Sequence, residues 1–294
     1  MNYAEKYGYN LTAEQIEGAI AEIAEKSKGK MSDEVLKACF SMMDLTSLNN
    51  NDTPSSIAGF VKKVTAFHEA YPAYPLPASI CVYSNFAPVV VKERLCPELH
   101  ATVVSACFPT SQSFIEVKCL EAKMAVEAGA DEVDIVLALN SFLDGDKKKA
   151  FDEIAAVRHC IDEAGAGRHI CLKVILETGL LVSPENIAEA SFLAMEAGAD
   201  FIKTSTGKVS VNATPMAAYV MCRCIALYQK VTGRKVGFKP AGGISTPEDA
   251  VLYYSIVSQV LGPEWLDKKL FRFGVSRMAN NLLSAIEHQT VKFF

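Results

Sequence analysis

The chain has 294 residues, of which 50% are hydrophobic and 21% charged, with a formal net charge of −5. That composition fits a globular protein with a large core, and without a global basic excess nucleic acid is excluded as the main partner. The longest apolar candidate, 216–227, is interrupted by Arg223, so no membrane span is expected.

The amino terminus, Met1-Asn-Tyr-Ala-Glu-Lys6, has no signal-peptide pattern. Nine cysteines lack CxxC spacing, and Cys81, Cys107 and Cys171 lie in apolar runs. They read as reduced thiols of a cytoplasmic protein. Residues 1–35 form an N-terminal helical extension, with one helix over roughly 12–26 that could cover the bottom of the fold. Apolar segments at 38–45, 79–83, 101–108, 132–139, 169–177, 201–206, 236–242 and 271–275 read as strands. Helical patterns fill the gaps, at 55–70, 112–128, 146–164, 184–197, 215–231 and 247–261. The proline-rich connection 71–77 reads as surface, and residues 289–294 as a C-terminal tail.

Helix starts carry a signature. Thr53-Pro54, Ser183-Pro184, Thr214-Pro215 and Thr246-Pro247 each place a capping residue before a proline. Helix ends echo one another: Glu-Ala-Gly-Ala recurs at 127–130, 163–166 and 196–199, and Gly129, Gly165 and Gly198 suit a left-handed C-cap. The strand-loop-helix order repeats without a dividing linker, and the strands are continuous apolar runs, as when both faces are covered. No GxGxxG stands at a strand end, which disfavours an open dinucleotide-binding sheet. The expected fold is an α/β (β/α)₈ TIM barrel with an additional N-terminal helix, as a single domain over 1–294.

Three lysines interrupt the apolar strands: Lys173, Lys203 and Lys239. Asp134 is a fourth charge out of place. Alternate residues of a barrel strand face inward, so neighbouring strands could bring all four into one interior. Burying an unpaired ammonium is costly, so such a group is usually paired or neutral. To be about a tenth neutral near pH 7, a lysine pKa must fall from about 10.4 to about 8, a cost of ~3.3 kcal/mol. One like charge about 5 Å away supplies that much at an effective dielectric near 20. A neutral lysine is a nucleophile. The alternative, plain ion pairs at the barrel ends, is weakened by finding three lysines and an aspartate on successive strands.

Phosphate features lie beside this cluster. Gly207-Lys208 follows the sixth strand, Gly242-Gly243 ends the seventh, and Gly274-Val-Ser276 ends the eighth before a helix starting near Ser276. Loops after strands seven and eight commonly hold phosphate in this architecture. Asp44 and Thr46 face inward by parity. They read either as a loop anchor or as an acceptor for a substrate hydroxyl with its support. Cys81 reads as core. The histidines at 68, 100, 159, 169 and 288 form no ligand spacing, so no metal is expected.

At these residues the chain resembles the deoxyribose-phosphate aldolases, Schiff-base (class I) aldolases of the barrel type. The matching segments are Met43-Asp-Leu-Thr-Ser-Leu48, Glu132-Val-Asp134, Leu172-Lys-Val-Ile-Leu-Glu-Thr178, Phe201-Ile-Lys-Thr-Ser-Thr-Gly-Lys208, Gly237-Phe-Lys-Pro-Ala-Gly-Gly243 and Phe271-Arg-Phe-Gly-Val-Ser276. The resemblance implies reversible cleavage of 2-deoxy-D-ribose 5-phosphate to acetaldehyde and D-glyceraldehyde 3-phosphate, in deoxyribose phosphate breakdown, without a cofactor. It implies Lys203 as the Schiff-base lysine, Lys239 as the charge that lowers its pKa, and Asp134 with Lys173 as proton relay. Asp44 would bind a substrate hydroxyl. Gly207, Gly242, Gly243 and Ser276 would hold the phosphate, and Thr46, Thr206, Lys208 and Arg277 complete the substrate-binding set. Relatives are often dimers, so a homodimer is expected. Close relatives often carry a second serine where this chain has Arg277, which can pair directly with phosphate. Some end in a tyrosine that reaches the site, whereas this chain ends Val291-Lys-Phe-Phe294. Two other readings compete: a Schiff-base barrel aldolase with a different donor, and a non-catalytic phosphosugar-binding barrel.

Overall fold

The computed structural model describes residues 2–294, so Met1 lies outside the described residues. Three helices come first: α1 (Tyr3–Tyr7), α2 (Ala13–Ser27) and α3 (Asp33–Ser41). Then β1 (Met43–Thr46) leads to α4 (Pro54–Ala70), β2 (Ser79–Tyr83) to α5 (Ala87–Glu93), and β3 (His100–Val104) to α6 (Ile115–Glu127). After β4 (Glu132–Val136) come α7 (Leu139–Leu143) and α8 (Lys147–Gly165); after β5 (Cys171–Ile175) come α9 (Thr178–Leu181) and α10 (Pro184–Glu196). The last units are β6 (Phe201–Lys203) with α11 (Pro215–Thr232), β7 (Gly237–Lys239) with α12 (Pro247–Val260), and β8 (Phe273–Val275) with α13 (Met278–Ile286).

All eight strands pair in parallel and in sequence order, with β8 beside β1. Bridges from Phe238 to Phe271 and from Ala241 to Gly274 bring β8 round to β7. This is the expected (β/α)₈ barrel. Among the described residues, no helix is long and apolar enough to cross a membrane.

Each Thr-Pro or Ser-Pro pair opens a helix as its chemistry requires. The hydroxyls of Thr53, Ser183, Thr214 and Thr246 accept the backbone N–H groups of Ser56, Asn186, Ala217 and Asp249. Each proline fills the first helical position, where its missing N–H costs nothing. Of the three echoed helix ends, two behave as expected: Gly129 and Gly198 have φ of +100° and +106°. In the middle copy Ala166 takes the left-handed turn at φ +50° and Gly165 stays helical. Gly165 has a packing reason instead, because a methyl there would lie 3.1 Å from the Ile170 side chain.

Four expectations need correction. The segment 38–45 is not one strand, because its first half belongs to α3. Ser32 caps that helix through the Val35 N–H, and Leu36, Cys39 and Phe40 bury one face at helical spacing. Only Met43–Thr46 is extended, so the apolar run joins a helix stripe to a short strand. The N-terminal extension holds the expected helix as α2 but also the short α1 and the start of α3, and α2 packs on α11 and α12 of the outer ring. The proline-rich connection is only partly surface: Tyr74 is buried against Phe67 and Tyr71. Several strands are shorter than their apolar runs, since 204–207 and 240–243 leave the sheet as loops above it.

The tail does not reach the barrel mouth. Phe293 and Phe294 pack on Phe67 of α4, and Phe294 also approaches Phe40 of α3. The Asn280 side chain fixes this turn, accepting from the Phe293 and Phe294 amides at 2.8 and 2.9 Å.

Candidate active site

Parity on short strands decides what fills the barrel. Pairing sets Asp134 beside Lys173, and Lys203 beside Lys239. All four side chains are buried, as the alternation predicts. Asp134 is their common partner. Its carboxylate accepts from Lys173 at 3.0 Å, Lys203 at 2.9 Å and Lys239 at 2.8 Å. Asp44 lies lower, with Lys239 at 2.5 Å, the Arg272 guanidinium donating at 2.6 Å and the Ser79 hydroxyl at 2.7 Å.

Two interior charges were not singled out from the sequence. Glu132 takes the Lys173 ammonium on one oxygen and the Arg272 guanidinium on the other at 2.7 Å. It also accepts from the Thr102 hydroxyl at 2.9 Å and meets His100 Nδ1 at 2.6 Å. The signal was present: Glu132 shares parity with Asp134, and Arg272 stands between two buried phenylalanines. The rule that exposed the lysines applies to both.

The electrostatics separate one lysine from the rest. Burial would push the Asp134 carboxyl up, but the ammoniums of Lys173, Lys203 and Lys239 reverse this and hold it far below its ordinary value. Glu132 and Asp44 are likewise lowered against burial, Glu132 by Lys173 and Arg272, Asp44 by Lys239 and Arg272. Burial alone would lower Lys173, yet Asp134, Glu132 and Asp44 raise it well above the usual lysine value. Lys239 is raised in the same way by Asp134 and Asp44. Lys203 goes the other way. Burial lowers it most, Asp134 opposes, and the Lys239 charge adds to the lowering. Burial is thus the larger cause, and the expected contribution of the Lys239 charge has the same sign.

Above Lys203 opens a cavity of about 450 Å³ at the C-terminal ends of the strands. Loops after β1, β6, β7 and β8 line it, and they bring in Thr46, Lys203, Thr206, Gly207, Lys208, Gly242, Gly243, Ser276 and Arg277. Asp44, Asp134, Lys173 and Lys239 are absent from its wall and form the layer beneath. Asp44 therefore sits in the ion network, with Oδ1 accepting from Arg272 and Ser79 and Oδ2 facing the Lys239 ammonium as a salt bridge. Among the interior cations only Lys203 meets both the network and the cavity.

Glycines shape the loops around the cavity. Gly242 and Gly243 have φ of +79° and +78°, and a methyl on Gly242 would lie 2.6 Å from the Asn212 side chain. A methyl on Gly274 would lie 2.7 Å from Ala241 Cβ. Ser276 and Arg277 are exposed just before α13, at the rim. Thr206 is held from behind by Glu177, which accepts its N–H at 3.1 Å and its hydroxyl at 2.5 Å. The same hydroxyl accepts the Lys208 N–H at 3.0 Å, and Lys208 Nζ donates to the Leu48 carbonyl at 2.5 Å. Glu177, which adopts a left-handed φ of +54°, was quoted in the sequence but not given this role.

Comparison with known proteins gives one consistent picture. A family model described as "DeoC/LacD family aldolase" matches residues 39–257. A Caenorhabditis elegans protein named "Putative deoxyribose-phosphate aldolase" is 37% identical over 286 residues, covering 97% of this chain and 92% of that protein. Among solved structures, one titled as a "putative deoxyribose-phosphate aldolase" from Toxoplasma gondii ME49 superposes with a TM-score of 0.72 at 20% identity, covering 87% of this chain and 95% of that one. A tetrameric deoxyribose phosphate aldolase from Aeropyrum pernix gives 0.66 at 23% identity, covering 89% and 96%. At such identities the two structures bear on the fold alone.

Proposed function

The chain belongs to the DeoC/LacD aldolase family, and from that premise we propose that it cleaves 2-deoxy-D-ribose 5-phosphate reversibly to acetaldehyde and D-glyceraldehyde 3-phosphate through a Schiff base on Lys203. The observation that carries this reading is that Lys203 alone among the buried cations lines the cavity and has a lowered pKa.

In this mechanism the neutral Lys203 amine attacks the C1 aldehyde of the open-chain sugar. The carbinolamine loses water and leaves a protonated imine. A base removes the C3 hydroxyl proton, the C2–C3 bond breaks, and C3 leaves as the aldehyde of glyceraldehyde 3-phosphate. The bonding pair moves into the imine and forms an enamine. Protonation at C2 and hydrolysis release acetaldehyde and restore the amine. One hard cleavage becomes several easier steps. Asp134, an ionised carboxylate 2.9 Å from Lys203 Nζ and 3.0 Å from Lys173, stabilises the protonated imine, and with Lys173 it orients the water that carries the protons.

The phosphate end is supported by the glycine loops. Gly207, Gly242 and Gly243 line the cavity, where the Gly207 and Gly243 backbone can approach a phosphate while the Gly242 N–H donates to the Gly274 carbonyl; Ser276 adds a hydroxyl, and Lys208 and Arg277 add charge. Thr46 donates to the Asp44 carbonyl at 2.9 Å and fixes the β1 loop on the sugar side. Free thiols at all nine cysteines suit a cytoplasmic enzyme.

Turnover on deoxyribose 5-phosphate, set beside turnover on unphosphorylated deoxyribose, tests the substrate. The proposal expects release of acetaldehyde from the phosphate ester, with a much higher kcat/KM than for the free sugar. Equal rates on the two would remove the phosphate site, and no release from either would remove the substrate assignment.

A further inference from the structure

The barrel interior holds more charge than the proton relay needs, and its sum is informative. Seven ionisable groups form one connected network: Asp44, Glu132 and Asp134 against Lys173, Lys203, Lys239 and Arg272. With every group ionised, four cations face three carboxylates. The interior is neutral only when one cation gives up its proton.

Geometry identifies which one. Arg272 touches Glu132 and Asp44, Lys173 touches Glu132 and Asp134, and Lys239 touches Asp44 and Asp134. These six groups form a closed set in which each cation bridges at least two carboxylates, Lys173 reaching Asp44 as well at 3.9 Å. Lys203 reaches only Asp134, whose oxygens already serve the other two lysines. It is the surplus charge. Arginine is effectively never deprotonated in proteins, so Arg272 holds its place in the sum permanently.

We propose that Arg272 and Glu132, which touch neither the cavity nor Lys203, are positioning residues that set the protonation state of Lys203 by fixing the charge balance of the barrel interior. The inference rests on the reading of Lys203 as the nucleophile. The sum is taken over the seven groups joined by salt bridges; other titratable groups also face this interior. Cys81 on β2 is kept a neutral thiol, because burial pushes its pKa up. His100, at the start of β3, is partly exposed and meets Glu132 from the edge. Glu177, beyond the end of β5, is bonded to Thr206. Lys208 and Arg277 stand exposed at the cavity rim.

The two residues must act in opposite directions. Arg272→Met leaves three cations facing three carboxylates, so Lys203 keeps its proton to higher pH. Glu132→Gln leaves four cations facing two carboxylates, so Lys203 loses its proton at lower pH. The double variant restores the odd-cation balance and returns the profile towards that of the unaltered protein, and Arg272→Lys keeps it.

Competitive labelling with acetic anhydride across a pH series, read on the Lys203 peptide by mass spectrometry, reports this protonation directly and needs no turnover. The expected result is a midpoint moved up by about one pH unit or more in Arg272→Met and down in Glu132→Gln. Midpoints that move the same way, or not at all, in folded Arg272→Met and Glu132→Gln overturn the proposal. If Arg272→Met does not fold, the double variant and Arg272→Lys decide, because a midpoint unlike that of the unaltered protein in either contradicts the balance. Reductive trapping of acetaldehyde is run in parallel on the unaltered protein. If Lys203 forms no adduct, the aldolase reading falls, while the labelling midpoints still judge the charge balance.

Discussion

Beneath Lys203, three carboxylates and three cations bind one another in a buried layer; above it, Lys208 and Arg277 stand exposed around an open cavity. The lower layer spends its charge internally. Every cation there bridges at least two carboxylates, and every carboxylate is lowered in pKa by the cations around it. At the rim the Arg277 charge is exposed, and the Lys208 ammonium donates only to the Leu48 carbonyl. Under the proposed function, buried charge in this barrel sets a protonation state and exposed charge recognises a ligand. Lys203 lies on the boundary and takes part in both.

The strongest way to break this comparison is to remove the boundary residue. Lys203→Met should lower kcat on deoxyribose 5-phosphate by at least about a thousandfold, as expected when a covalent nucleophile is lost. The variant should stay folded, because Asp134 keeps Lys173 and Lys239. Substantial residual turnover would move the chemistry elsewhere.

Next comes the lower layer. Lys239→Met leaves Asp44 and Asp134 short of a shared partner, and breaking a buried pair costs about 3–5 kcal/mol. Urea unfolding should show that loss. The pH profile should move as well. Without the Lys239 charge Lys203 keeps its proton longer, so the acid limb of kcat/KM shifts to higher pH and raising the pH recovers rate. An unmoved acid limb would mean that burial alone sets the lysine.

At the rim the effects are smaller and of another kind. Gly242→Ala forces a methyl against Asn212 at a positive φ, so KM for the phosphorylated substrate should rise by about tenfold while the Lys203 adduct with acetaldehyde still forms. Arg277→Ala should raise the same KM by only a few fold, and less in high salt, because an exposed charge is screened. A change in the pH profile of Lys203 in either rim variant would dissolve the division between the two layers.

Much of this was legible in the residues, for identifiable reasons. Thr-Pro and Ser-Pro pairs mark helix starts because cap and fixed φ act locally. Lysines inside apolar runs stand out because burial of charge is rare, and parity then carries Lys173, Lys203 and Lys239 inward. What escaped depends on contacts between distant segments. Whether 38–41 is helix or strand turns on the Ser32 cap and the packing of Leu36 and Phe40, not on hydrophobicity. The depth of Asp44 follows from Ser79 and Arg272, 35 and 228 positions away. The tail packs on α3 and α4 because Asn280 turns it there. Glu132 and Arg272 were open to the same test as the lysines, and only the closed set of pairs shows why both are present.

The central claim concerns one amine, and reduction with borohydride in the presence of acetaldehyde tests it most directly. Peptide mass spectrometry should find an N-ethyl group on Lys203, with Lys173 and Lys239 unmodified. An unmodified Lys203, or an adduct on Lys173 or Lys239 in its place, would contradict the account.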